Sequence, residues 1–157
     1  MKRFLIWLTV IAIGLLVAAW IDGLNTAIRQ GDIASLRDYL RLQSYRLKSG
    51  NGVALATVEL RVEPQRIQYL LDSIRKYAAE RNLLVASSPR SKNNPIVVVS
   101  VWGGSAFNIT LINLSGDDGF TVSFFEFDEK EDWRPYRDDF LAFLRTSFGT
   151  ENLHERA

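Results

Sequence analysis

The chain contains no cysteine and a single histidine among its 157 residues. Without cysteine there is no disulfide framework, no thiol nucleophile, no Cys-ligated zinc and no lipid-modified N-terminal Cys, so packing alone must carry the stability. The one histidine, His154, stands in a polar C-terminal stretch. That position argues against a Ser-His-Asp arrangement, and a lone histidine excludes a two-His metal site within one chain. A glycine-rich phosphate cradle is missing too: Gly103-Gly104 lacks the spaced glycines and the following helix, and reads as a two-residue hairpin turn. Net charge is also small. The total is +1, and setting aside Lys2 and Arg3 leaves −1, which gives no electrostatic reason to invoke nucleic acid.

What the chain does have is one long apolar run, Phe4 to Ile21, FLIWLTVIAIGLLVAAWI, behind Lys2 and Arg3. Its eighteen residues reach about 27 Å as a helix, just short of the ~30 Å hydrocarbon layer of a bilayer. Two readings stay open. A cleavable signal peptide needs a basic start, an apolar core and small residues at the cut; Lys2-Arg3, the run to Leu16, and Val17-Ala18-Ala19 meet these needs and would leave Trp20 as the new N-terminus. A retained anchor is favoured by Trp7 and Trp20 near the two ends, where indoles prefer the headgroup layer. The basic residues abutting the run at positions 2 and 3 place the N-terminus in the cytoplasm, with residues 22–157 outside. Both readings deliver the domain to the same compartment. The expectation is an inner-membrane anchor with a periplasmic domain, the alternative a soluble periplasmic or secreted form cut near Ala19.

Beyond the run, turn chemistry divides the chain into an amphipathic helical stalk and linker over 22–52, an α+β domain over 53–149 and a polar tail over 150–157. Leu24–Gln30 and Ile33–Lys48 read as two helical pieces separated by Gly31-Asp32, with Asp32 as a candidate cap for the second. The phrase LNTAIRQGDIASLRDYL resembles the helix pair of an ankyrin repeat in Leu24, Ala27, Gly31 and Leu40. The resemblance covers one incomplete unit, and a single repeat cannot bury its own face, so it implies no repeat fold. Charge is segregated along the sequence. Residues 22–92 hold twelve basic and seven acidic side chains, net +5, and residues 93–157 hold five and eleven, net −6. The halves would form distinct surfaces unless folding interleaves them.

Within 53–149, Val58, Leu60 and Val62 alternate with Thr57, Glu59, Arg61 and Glu63 in a strand. Pro64 suits a helix start, and Ile67, Leu70, Leu71, Ile74 and Ala78 make a buried stripe over helix 65–81 that Asn82 ends. Leu83–Ala86 is a short strand, and Ser87–Pro95 a polar loop whose Arg90 and Lys92 suit an anion, the plainer reading being that they are solvated. Ile96–Val101 suits an inner strand; Phe107, Ile109 and Leu111 alternate in the next, and Val122 and Phe124 in a last one, Phe120–Phe127. Pro135 opens helix 135–148, with the stripe Tyr136, Phe140, Phe143 and Leu144, and Gly149 caps it. The fold class is α+β: a mostly antiparallel sheet of four to five strands with two helices on one face.

No residue set points to catalysis or a cofactor, and the expectation is a non-enzymatic module. Glu126 to Asp132 is an acidic run, but it lacks the alternating acids, central glycine and final glutamate of a calcium loop. Asn108-Ile109-Thr110 and Asn113-Leu114-Ser115 match the glycosylation pattern, more simply explained as polar positions of an amphipathic sheet. With both helices on one face, the other presents Glu59, Arg61, Asn108, Thr110, Thr121 and Ser123, with Trp102 at its margin. A polar face with an aromatic and an arginine resembles an interaction surface in composition; in the alternative, helix 33–48 lies across this face and Trp102 is core. The expected partners are the membrane, through residues 4–21, and a protein, through that face or through Glu129, Glu131 and Asp132. Neither nucleic acid nor a small-molecule substrate is expected. The leading expectation is an accessory subunit of an envelope complex; the others are an inhibitor or immunity-type protein using its acidic half, and a metal-assisted hydrolase using the acids of 126–132.

Overall fold

A computed structural model describes residues 2–48, 53–88, 96–103, 107–114, 118–127 and 132–155. The apolar run and the first stalk piece form one continuous helix, α1 (Lys2–Arg29). Gly23 does not break it, since one glycine costs a helix about 1 kcal/mol and this helix is long. Over Ile6–Arg29 α1 is long and apolar enough to cross a membrane, and none of that segment is buried against the rest of the chain. It stops at Gly31, whose φ of +74° allows the Gly31 and Asp32 amides to donate back to the Ile28 and Ala27 carbonyls at 3.0 Å each, closing the helix as a Schellman turn.

The second helix, α2 (Leu36–Lys48), begins three residues later than the sequence suggests. Its cap is Ser35, not Asp32. Ser35 Oγ accepts the Asp38 amide at 3.2 Å, satisfying one free amide of the first turn, and donates to the Asp38 carboxylate at 2.7 Å. Asp32 has a different employment, described below.

The domain follows in the order β1 (Val53–Arg61), a single 3-10 turn Pro64–Arg66, α3 (Ile67–Glu80), β2 (Leu84–Ser88), β3 (Val97–Trp102), β4 (Phe107–Asn113), β5 (Gly119–Glu126), α4 (Arg134–Phe148) and β6 (Leu153–Glu155). The strands make one six-stranded sheet in the order β2-β3-β4-β5-β1-β6, with every neighbouring pair antiparallel. The predicted helix ends hold: Asn82 takes a positive φ of 54° after α3, and Gly149 one of 90° after α4. Trp102 pairs with Asn108, so the β3–β4 connection is longer than the two-residue Gly103-Gly104 turn expected; residues 104–106 of it, like Arg90 and Lys92, lie outside the described residues.

Two features go beyond the expectation of four to five strands with two helices on one face: a sixth strand, and a third helix on the other face. The polar tail contributes a sixth strand: Leu153, His154 and Glu155 pair with Leu60, Glu59 and Val58. Only α3 and α4 cover the main face, where Leu70, Ile74, Phe140 and Leu144 pack on Leu60, Val99, Val101, Ile109, Leu111, Phe120 and Val122, all nearly fully buried. On the opposite face α2 builds a second core: Leu42 packs with Leu84 and Trp102, with Tyr45, Ala86 and Phe127 around them.

The topology also dissolves the charge asymmetry of the sequence. Strand β1, from the basic half, lies between β5 and β6 of the acidic half, and helix α3 is tied to α4 by the Arg81–Asp139 ion pair.

Candidate functional site

Strand register decides what the sheet offers on the face turned away from α3 and α4. Ser100 faces Thr110, Thr110 faces Ser123, and Ser123 faces Thr57. At about 4.8 Å per strand, these four hydroxyl side chains cross roughly 14 Å of sheet in one row. Each is partly exposed, and Ser100 Oγ and Thr110 Oγ1 lie 3.2 Å apart, within hydrogen-bond reach. The next row is Ile112, Thr121, Glu59 and His154, and Arg61 stands exposed at the end of β1. Hydroxyls alternate as donors and acceptors, so such a row adapts to a polar partner without a fixed charge requirement.

At the other end of the same face α2 closes the surface. Trp102, expected at the margin of the exposed face, is 8% exposed and packs against Leu42 and Leu84; its ring stacks on Phe127 at 5.8 Å and 9°. Asn108, directly across from it, is 4% exposed. The Asn108 side-chain amide donates to the Val101 carbonyl at 3.1 Å and its carbonyl oxygen accepts from Thr110 Oγ1 at 2.5 Å. Trp102 is therefore core, as in the alternative in which helix 33–48 lies across this face, and Asn108 is buried with its side chain hydrogen-bonded within the sheet. Burial also removes both glycosylation patterns from play, since Asn113 is buried as well and donates to the Gly119 carbonyl at 2.7 Å. Glu59, Arg61, Thr110, Thr121 and Ser123 remain together on the accessible part of the face.

No known protein family, curated protein or solved structure matches this chain.

The acidic run is only partly described: Glu129 and Glu131 lie outside the described residues, and Asp132 is exposed, its carboxylate accepting the Arg134 amide at 3.1 Å at the start of α4. Among the described residues no group of three or more His, Asp or Glu side chains gathers as a metal site would require.

Two polar clusters carry structural work that the sequence did not disclose. The first is centred on Asp32 in the turn between α1 and α2. Its carboxylate receives Arg75 Nε of α3 at 3.0 Å, and the Ser87 amide and hydroxyl of β2 at 2.5 and 2.8 Å. Arg75 also donates to Ser87 Oγ and Asp72 at 3.0 Å each. The turn is thereby fastened to the domain and occupies part of the free edge of β2.

The second cluster joins α3 to α4 beside a cleft of about 440 Å³. Arg81 grips Asp139 with two bonds of 2.6 and 3.1 Å, and the Tyr77 hydroxyl donates to the same carboxylate at 2.7 Å. The Arg81 guanidinium lies 4.0 Å from the Tyr77 ring centre. Hydrogen bonding from Arg81 holds the Asp139 carboxyl below its ordinary range, and the same bond raises Arg81. Burial, reinforced by the Asp139 carboxylate, pushes the Tyr77 hydroxyl well above its ordinary value. A carboxylate held ionised and a phenol held neutral suit a clamp; neither exchanges protons near neutral pH. Asp32 and Asp139 lie 43 to 62 positions from the Arg75, Ser87, Tyr77 and Arg81 groups that bind them, and nothing in their local patterns marks the pairings.

Proposed function

We propose that this chain is a membrane-anchored binding module: α1 holds the α+β domain at the outer face of the membrane, where its sheet face engages a protein partner as an accessory subunit of an envelope complex. The observation that carries this reading is α1, an apolar helix of membrane-spanning length with none of its span buried against the domain. Exposed leucine, isoleucine and valine from Ile6 to Ile21 is the pattern of a helix whose solvent is lipid. Lys2 and Arg3 at one end set the N-terminus in the cytoplasm by the positive-inside tendency, which leaves the domain in the periplasm.

Retention rather than cleavage is supported by Trp7 and Trp20 near the two ends of the run, where indoles prefer the headgroup layer. For the partner, the hydroxyl row Ser100-Thr110-Ser123-Thr57 with Thr121, Glu59 and Arg61 is the open polar surface best placed on rigid elements.

The test is made in the host membrane. Intact mass of the membrane fraction should return the full-length chain, and protease added to the periplasmic side should remove the domain while sparing an N-terminal tag. A photo-crosslinking residue at Ser123 should then capture a discrete partner that the same residue at Asp72, on α3, does not. A soluble species beginning at Trp20 would overturn the anchor and favour the released, inhibitor-type protein.

A further inference from the structure

Helix α2 projects three different surfaces in three directions. Leu42 points to the sheet, where it is buried against Leu84 and Trp102. Tyr39 points to α1: its ring meets Trp20 edge-on at 5.2 Å, and its hydroxyl lies so near Gly23 that a Cβ there would be 2.7 Å away. The third direction carries Leu36, Leu40 and Leu47, which are 51%, 46% and 86% exposed. At about 100° per residue these three leucines fall within a sector of about 40°, roughly 120–160° around the helix from Leu42. They form an apolar stripe that no other element packs on among the described residues.

The height of α2 relative to a bilayer is set by the Tyr39 contacts. Trp20 and Ile21 close the apolar run, and Asp22 begins the polar segment. Tyr39 therefore sits at the boundary between hydrocarbon and headgroups. With the domain on one side of α2 and α1 on another, the leucine stripe turns toward the lipid. Arg37 is exposed beside it, Arg41 flanks the same side, and Arg46 is exposed near the end of the helix. Leucines on one face bordered by arginines is the pattern of helices that lie in the plane of an anionic membrane surface.

We infer that α2 is a second membrane element, an interfacial helix that lays Leu36, Leu40 and Leu47 into the outer leaflet and sets Arg37 and Arg41 among anionic headgroups. This rests on the anchored reading of α1 and adds to it. A single spanning helix leaves a domain free to swing, whereas a spanning helix and an interfacial helix joined by the Asp32 turn hold the sheet at one attitude to the membrane.

The chain has no cysteine, so single introduced cysteines can be labelled uniquely. Full-length chain carrying Ile13→Cys, Leu40→Cys, Leu47→Cys or Asp72→Cys would bear a nitroxide in nanodiscs of mixed phosphatidylcholine and phosphatidylglycerol. Collision rates with oxygen and with a water-soluble nickel chelate are read at each site. The expected result is lipid-like accessibility at 13, 40 and 47 and water-like accessibility at 72, with 40 and 47 shallower than 13. Lipid-like accessibility at 13 with water-like accessibility at 40 and 47 would overturn the inference while leaving the anchor intact. Water-like accessibility at 13 would overturn both. Dipolar broadening between labels at 40 or 47 would also overturn it, because the stripe would then be covered by a second copy.

Discussion

Replacing Asp32 with alanine tests whether the turn between α1 and α2 is fastened to the domain. The Asp32 side chain is 2% exposed and that of Arg75 is 16% exposed, so their 3.0 Å ion pair is shielded from water. Removing one partner of a buried pair costs about 3–5 kcal/mol, chiefly because the other charge stays behind unpaired. Here Arg75 keeps Asp72, which lowers the penalty, while the Ser87 amide loses its acceptor, which raises it. The expected loss is about 3 kcal/mol, or about 10 °C in melting temperature for a domain of this size. Asp32→Asn, which keeps an acceptor for Ser87, should cost about 1–2 kcal/mol. Urea unfolding of the full chain in detergent micelles, followed by tryptophan fluorescence, measures both. A cycle with Arg75→Ala should return a coupling of about 2 kcal/mol. An Asp32→Ala variant within about 0.5 kcal/mol of the parent, the range of ordinary surface substitutions, would refute the latch.

The remaining expectations concern the clamp, the second core and the cap. Because Asp139 has its pKa lowered by folding, its contribution is complete above the unfolded carboxyl value of about 4 and is lost as pH falls through the folded value. Asp139→Asn should thus cost about 1 kcal/mol at neutral pH, the clamp being half exposed, and should flatten the acid limb of the stability profile. Tyr77 has its pKa raised by folding, so its contribution is present below the unfolded value of about 10 and declines as pH rises through the folded value; Tyr77→Phe should cost about 1–2 kcal/mol and flatten the alkaline limb. The Trp102 indole N–H is buried with no hydrogen-bond partner among the described residues. Trp102→Phe should accordingly cost less than about 1.5 kcal/mol, while Leu42→Ala in the same cluster should cost about 2–4 kcal/mol, both read from thermal melts. Ser35→Ala should remove about 1 kcal/mol by deleting the α2 cap, detectable as faster amide exchange over the first turn of α2.

Particular residues show where reading the chain alone succeeds. The stripes Leu70-Leu71-Ile74-Ala78 and Phe140-Leu144 define α3 and α4 and the face each buries, because helical periodicity is a local property. Alternation in β1, β4 and β5 defines the buried face of each strand for the same reason. Asn82 and Gly149 mark helix ends through backbone freedom that few other residues have. Of the candidate surface, Glu59, Arg61, Thr110, Thr121 and Ser123 were placed on the open face by alternation alone. Trp102 and Asn108 sit on that same face but are buried; alternation leaves both outcomes open for Trp102, and the packing of α2 on it decides between them.

The sequence by itself determined the exposed apolar helix, the α+β class and the inward face of each domain element, since each follows from the order of side chains over a few turns or a few residues. Tertiary structure alone decided that Leu153–Glu155 becomes an edge strand, that α2 buries Leu42 against Trp102, that Asp32 binds Arg75 and Ser87, and that its capping place falls to Ser35. Those outcomes depend on which distant segments meet, and the free energy that chooses among them resides in the pairings rather than in any stretch of chain.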